Sequence, residues 1–161
     1  MTDTLKSICE QCIHLNNPQL DFIPANLSRH RAIVLRDLGE LVTAASAEME
    51  KTVVILAGSL FETVLFAFIA SQQAYIVRRR GAFSLDPNNA TLENYKNIFN
   101  RWFSDALPAA VLPDFIVDYR NLVHVNREIY FPPNVCERAS REMLRTLDSL
   151  LGELSRFGTP P

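Results

Sequence analysis

This chain has little of what several large protein classes require. Its 161 residues include only five glycines and three cysteines, and its charges nearly cancel at a net of -2. The sequence contains no Gly-rich phosphate loop and no nucleophile elbow. Three cysteines are too few for a disulfide framework, and the small net charge gives no general basic field that would attract nucleic acid. Any phosphate binding must therefore come from a local cluster of side chains.

Signals for export and for a membrane span are also weak. The N-terminus, MTDTLK, lacks the basic-then-apolar pattern of a signal peptide. The apolar stretch 53–69 would cover only about 26 Å as a helix, and polar or small residues interrupt it: Gly58, Ser59, Glu62 and Thr63. We expect a cytoplasmic protein without a membrane span, in which this stretch forms a buried central helix.

A metal site is the one cofactor that the N-terminal residues suggest. Cys9, Cys12 and His14 lie close together in the sequence, but a structural zinc site needs four ligands and no second pair of ligands follows. We interpret these residues as ordinary helix positions. The sequence predicts no metal and no other cofactor.

Helical spacing of apolar residues recurs along the chain, whereas the alternation typical of strands does not. These patterns predict an all-α bundle of five or six helices that forms a single domain over residues 1–161. The predicted segments are 3–15, 26–46, 47–79, a helix capped by Thr91, a helix from Pro113 to about 130, and a last helix capped by Asn134.

Individual positions follow from the same spacing. In segment 26–46 the predicted buried face comprises Leu35, Leu38, Leu41, Val42 and Ala45, with Arg36 and Glu40 paired on the opposite side. The helix after Thr91 is expected to bury Tyr95, Phe99, Trp102 and Ala106. The last helix is expected to bury Met143, Leu147, Leu150, Leu154 and Phe157.

The segment FIVDYRNLVH, residues 115–124, is the strongest candidate for chemistry. On a helix at about 100° per residue, Arg120, His124 and Arg127 fall within a sector roughly 60° wide. Arginine offers a fork of donors to phosphate oxygens, and histidine exchanges protons near neutral pH. The sector borders an apolar arc of Leu112, Ile116 and Val123. The alternative is structural, because arginine and histidine on amphipathic helices more often form surface pairs or core contacts.

The motif YRNLVH at 119–124 and the block LAGSLFE at 56–62, in this order of helices, resemble the HEPN superfamily of all-helical domains. The likeness covers roughly Arg31 to Leu154, within a HEPN-like core of about 26–157. Catalytic members have an Arg, often followed by Asn, and then a His after four to six intervening residues. They cleave RNA without metal at a composite site in a symmetric dimer.

The resemblance implies that Arg120 holds the scissile phosphate, that His124 transfers a proton and that Asn121 orients the site, with Arg127 as a further phosphate contact. Only three residues separate Arg120 from His124 here, which is fewer than in catalytic members. The superfamily also includes non-catalytic interaction modules, in which such a pair would be structural.

Glu62 is an independent candidate. It lies among apolar residues of the predicted buried helix, and a buried carboxylate needs a partner. Arg120 or His124 would make Glu62 either a structural ion-pair partner or a residue that orients the catalytic histidine. We therefore expect a homodimeric, metal-independent RNase or an RNase-derived toxin or phage-defence effector, with RNA and an antitoxin or other protein as partners. The alternative is a non-catalytic assembly module.

Overall fold

The computed structural model describes residues 3–122 and 134–157. Within these ranges the chain is an all-α bundle without strands, as the sequence predicts. Eight helices are present in place of the five or six expected: α1 Leu5–Gln11, α2 Ile13–Asn16, α3 Ser28–Ser46, α4 Glu50–Ser71, α5 Gln73–Arg80, α6 Leu92–Phe103, α7 Phe115–Asn121 and α8 Val135–Phe157. Three 3-10 turns lie between them: Ala25–Leu27, Pro87–Asn89 and Pro108–Ala110.

Helix α4 lies at the centre of the bundle and contacts α3, α6, α7 and α8. Phe68 is fully buried on this helix, and its ring contacts the rings of Phe22, Phe99, Phe103 and Phe157. By length and composition α4 could cross a membrane, but 61% of its most apolar window is buried inside the protein. Such burial is typical of a core helix.

Two predicted helices are divided in the structure. The predicted helix 47–79 begins only at Glu50 because Glu48 adopts a positive φ of 56° in the turn after α3. It is interrupted at Gln72, where the hydroxyl of Ser71 donates to the carbonyl of Phe68 and competes for a helical acceptor. The N-terminal segment divides at Cys12, and Asp148 then accepts the backbone N–H groups of His14 and Leu15 at the start of α2.

Most predicted core positions are confirmed, and the exceptions have local causes. The last helix buries its predicted residues, with Phe157 at its end only partly covered. Leu35 is 48% exposed, because the buried face of α3 passes through Val34 and Leu38 instead. Ala106 is exposed because α6 has already ended at Phe103. The predicted cap at Thr91 is confirmed, since its side chain accepts the N–H of Asn94, and the Arg36–Glu40 pair is present at 3.9 Å.

The helix that carries the motif is short and anchored at both ends. It begins at Phe115, so the predicted start at Pro113 is wrong by two residues, and Leu112 lies before the helix. The side-chain amide of Asn100 holds Leu112 there through two backbone hydrogen bonds of 2.8 Å. The hydroxyl of Tyr119 donates to Glu142 on α8 at 2.8 Å. These contacts fix α7 against α4 and α8.

Candidate functional site

The motif helix approaches the central helix most closely at Gly58. A Cβ added to Gly58 would lie 2.7 Å from Cγ and 3.1 Å from Cβ of Arg120. The missing side chain therefore allows the base of the Arg120 side chain to rest directly on the backbone of α4. This packing fixes where the guanidinium of Arg120 begins its reach.

Arg120 extends from this contact to Glu62, one turn further along α4. Its Nη2 lies 3.8 Å from Oε2 of Glu62, and the two side chains are 42% and 32% exposed. Of the two partners proposed for Glu62, Arg120 is thus the one that the structure brings to it. The expectation that Glu62 is buried on most sides is wrong, because the face of α4 that carries Glu62 borders an open cleft.

This opening, which we call the Arg120 cleft, has a volume of about 600 Å³. Helices α3, α4, α6 and α7 supply its lining residues: His30, Ile55, Ser59, Glu62, Thr63, Phe66, Tyr95 and Arg120. Its volume is in the range of small-ligand sites, which is about 300–1,000 Å³. The cleft therefore combines a charged pair with hydroxyl groups and aromatic rings at the scale of one small ligand.

One wall of the Arg120 cleft is aromatic. The imidazole of His30 stacks on the ring of Phe66 with centroids 5.0 Å apart and planes 28° apart. The Phe66 ring in turn contacts the ring of Tyr95 at 5.9 Å. Burial raises the pKa of Tyr95, and the nearby Glu62 carboxylate raises it further, so the phenol keeps its proton at neutral pH.

Asn121 lies beside the Arg120 cleft, not within its lining. It borders a smaller cavity of about 230 Å³ that Glu62, Thr91, Val117 and Arg120 also line. The Glu62–Arg120 pair therefore separates two cavities. This position leaves the predicted role of Asn121 in orienting Arg120 as a prediction.

The remaining motif residues, Val123, His124 and Arg127, lie outside the described residues. The predicted proton transfer by His124 and phosphate contact by Arg127 therefore stay predictions. The last described residue before them, Leu122, is buried against Val54 and Ala139. It brings the chain that leads to His124 to the junction of α4 and α8.

The N-terminal cysteines occupy the core, in agreement with their interpretation as ordinary helix residues. Both are buried, and burial together with Asp148 raises the pKa of Cys12 to about 12. Such a thiol stays protonated and is a poor nucleophile or metal ligand. In residues 3–122 and 134–157, no three His, Cys, Asp or Glu side chains are grouped so that they could hold a metal ion.

The sequence did not single out His30, Phe66 or Tyr95 as site residues. A signal was nevertheless present on α4, whose cleft-lining residues recur at intervals of three and four: Ile55, Ser59, Glu62, Thr63 and Phe66. Four of these five positions are polar, small or aromatic on an otherwise aliphatic helix. No protein-family model, curated protein or solved structure matches this chain. Function is therefore inferred from the residues of the site.

Proposed function

We propose that this chain is a HEPN-like ribonuclease domain that cleaves single-stranded RNA without a metal ion. It acts as a homodimer whose composite site includes Arg120 and His124, as a toxin or phage-defence effector held in check by a protein partner. The observation that carries the proposal is the place of Arg120 on the wall of an open cleft. Its side chain is 42% exposed, and its 3.8 Å contact with Glu62 is too long for a hydrogen bond.

The chemistry requires charge stabilisation at phosphorus and two proton transfers. The ribose 2'-oxygen attacks phosphorus and loses its proton to a base, while the bond from phosphorus to the 5'-oxygen breaks and that oxygen gains a proton. The products carry a 2',3'-cyclic phosphate and a 5'-hydroxyl. Arg120 would offset the charge on the phosphate oxygens, and His124 would transfer one of the protons.

A second candidate function has its own support. Arg120 rests on Gly58 and pairs with Glu62 of the same chain, so it also ties α7 to α4. In a non-catalytic HEPN-like interaction module these contacts would be its whole purpose. Arg120 and His124 would then stabilise the bundle and take no part in RNA cleavage.

An RNA-cleavage assay separates the two functions. The wild-type protein is incubated in EDTA with single-stranded RNA and with the same RNA carrying 2'-deoxyribose at the cut. We expect cleavage of the first substrate only, and a loss of about 100-fold or more in Arg120→Ala and in His124→Ala. The matched control is Arg156→Ala, which removes an exposed arginine paired with Glu153 at the far end of α8. It should cleave as the wild type does.

Unfolding and assembly measurements complete the test. If the motif is catalytic, Arg120→Ala should keep the free energy of unfolding within about 1 kcal/mol of wild type, because exposed ion pairs contribute little. Light scattering should give the mass of a dimer. An inactive monomeric wild type, destabilised by Arg120→Ala, would support the interaction module instead.

A further inference from the structure

The two ends of the Arg120 cleft differ in chemistry. One end carries the stacked rings of His30 and Phe66, with Tyr95 beside them. The other end carries the adjacent charges of Glu62 and Arg120. A ligand that fits both ends needs a flat ring joined to a part with a hydroxyl donor and an anionic group.

The aromatic end is suited to a nucleobase. Every base has a flat π-face that stacks on aromatic side chains without regard to its sequence. His30 is only partly buried, and it lies at the end of the row of rings that continues through Phe66 to Tyr95. A base placed against His30 would extend an existing stack, and the protein rings would not need to separate.

The charged end is suited to a ribose and its phosphate. In a ribonucleotide the 2'-hydroxyl and the 3'-phosphate occupy neighbouring carbons of the sugar. A carboxylate and a guanidinium 3.8 Å apart can therefore accept the hydroxyl proton and bind the phosphate at the same time. An aromatic carboxylate fits less well, because it offers Glu62 no donor and places a second negative charge beside it.

We propose that the Arg120 cleft is a ribonucleotide subsite in which His30 stacks on the base, Glu62 accepts a hydrogen bond from the ribose 2'-hydroxyl and Arg120 binds the 3'-phosphate. The subsite gives the proposed RNase a nucleotide contact that the motif alone does not supply. It rests on the proposed function only in sharing Arg120. Its binding can be measured without any cleavage.

Calorimetric titration of the full chain tests this assignment. The probes are adenosine 3'-monophosphate, its 2'-deoxy analogue and inorganic phosphate. We expect the ribonucleotide to bind best, with a loss of about tenfold for the 2'-deoxy analogue, since a hydrogen bond to a charged acceptor is broken. His30→Ala should weaken ribonucleotide binding about tenfold through the lost stack. His30→Phe should restore much of it.

Leu35→Ala is the matched control, because Leu35 lies on the same helix, is exposed and does not line the cleft. It should bind as the wild type does. The subsite assignment is overturned if wild type shows no saturable nucleotide binding, if phosphate alone binds equally well, or if His30→Ala has no effect in a protein that circular dichroism shows to be folded.

The two proposals can fail separately. Cleavage of RNA by a wild type that does not bind adenosine 3'-monophosphate would overturn the subsite and leave the RNase proposal standing. Nucleotide binding that depends on His30, in a wild type that never cleaves RNA, would support the subsite and overturn the RNase proposal. A short RNA with one 2'-deoxyribose tests whether the same 2'-hydroxyl contact is made within a strand.

Discussion

The two faces of α4 show how one apolar helix can serve both folding and function. One face carries Phe61 and Phe68, which are fully buried. The other face carries Ser59, Glu62 and Phe66, which line the Arg120 cleft and are partly or fully open to solvent. The buried face is aliphatic and aromatic, whereas the cleft face mixes a hydroxyl, a carboxylate and a ring.

This difference shows that overall hydrophobicity hides the site. The helix is apolar enough to pass for a membrane span, yet it leaves one row of side chains open between α3, α6 and α7. Substitutions on the buried face should therefore change stability, and those on the cleft face should change binding. The following experiments compare the two faces, beginning with the largest expected effect.

The first comparison uses two phenylalanines of α4. Phe68→Ala should lower the free energy of unfolding by about 3–5 kcal/mol, because its buried ring contacts four other rings. Phe66→Ala removes a partly exposed ring and should cost about 1–2 kcal/mol. Urea denaturation measures both values. Equal losses would show that the two faces do not differ as described.

The second comparison uses two glycines. Gly58→Ala should lower the free energy of unfolding by about 1–3 kcal/mol, since the new Cβ would collide with Arg120. Gly39→Ala on α3 is the control, because nothing lies within 4 Å of its added Cβ. It should stabilise the helix by about 0.5–1 kcal/mol. A stabilising Gly58→Ala would contradict the close packing of α7 on α4.

The third experiment concerns acid stability away from the cleft. The backbone N–H groups of Lys6 and Leu5 donate to Glu48, which lowers the pKa of Glu48 below its ordinary value of 4.5. A carboxyl with a lowered folded-state pKa contributes stability that is fully present above its unfolded pKa and is lost as the pH falls through the folded pKa.

Stability should therefore fall below about pH 4.5, and Glu48→Gln should lose this part of the pH dependence. Urea denaturation of both proteins between neutral and acid pH provides the measurement. The difference between them should be largest at neutral pH and should shrink in acid. A constant difference at every pH would argue against the capping of α1 by the Glu48 carboxylate.

The smallest expected effect on stability belongs to Glu62→Gln. The pair with Arg120 is partly exposed, so its loss should change the free energy of unfolding by less than about 1 kcal/mol. The same variant should weaken ribonucleotide binding clearly. A large loss of stability, relieved when Arg120→Ala is added, would indicate a structural pair of the kind expected in an interaction module.

The fold could be predicted from the sequence wherever a helix has one buried side. The spacing of Met143, Leu147 and Leu150 sufficed to define α8, and the capping residue Thr91 to place the start of α6. Breaks that depend on tertiary contacts could not be predicted. Examples are the turn at Glu48, whose carboxylate caps α1, and the division at Cys12, where Asp148 of a distant helix caps α2.

The site was only partly predictable for a related reason. Arg120 and Glu62 could be identified because a cation in a motif and a carboxylate in an apolar helix are visible in the sequence. His30 could not, since it carries no local pattern and gains its place only when α3 packs beside Phe66 of α4. A site built from four helices is determined by their packing.

The most direct test of the central claim is single-turnover cleavage of a fluorescent single-stranded RNA, in EDTA, by wild-type and Arg120→Ala proteins of matched thermal stability. We predict that the wild type produces a 2',3'-cyclic phosphate end and that Arg120→Ala slows this step by about 100-fold or more. Equal rates in the two proteins, or no cleavage by the wild type, would contradict the assignment of Arg120 to catalysis.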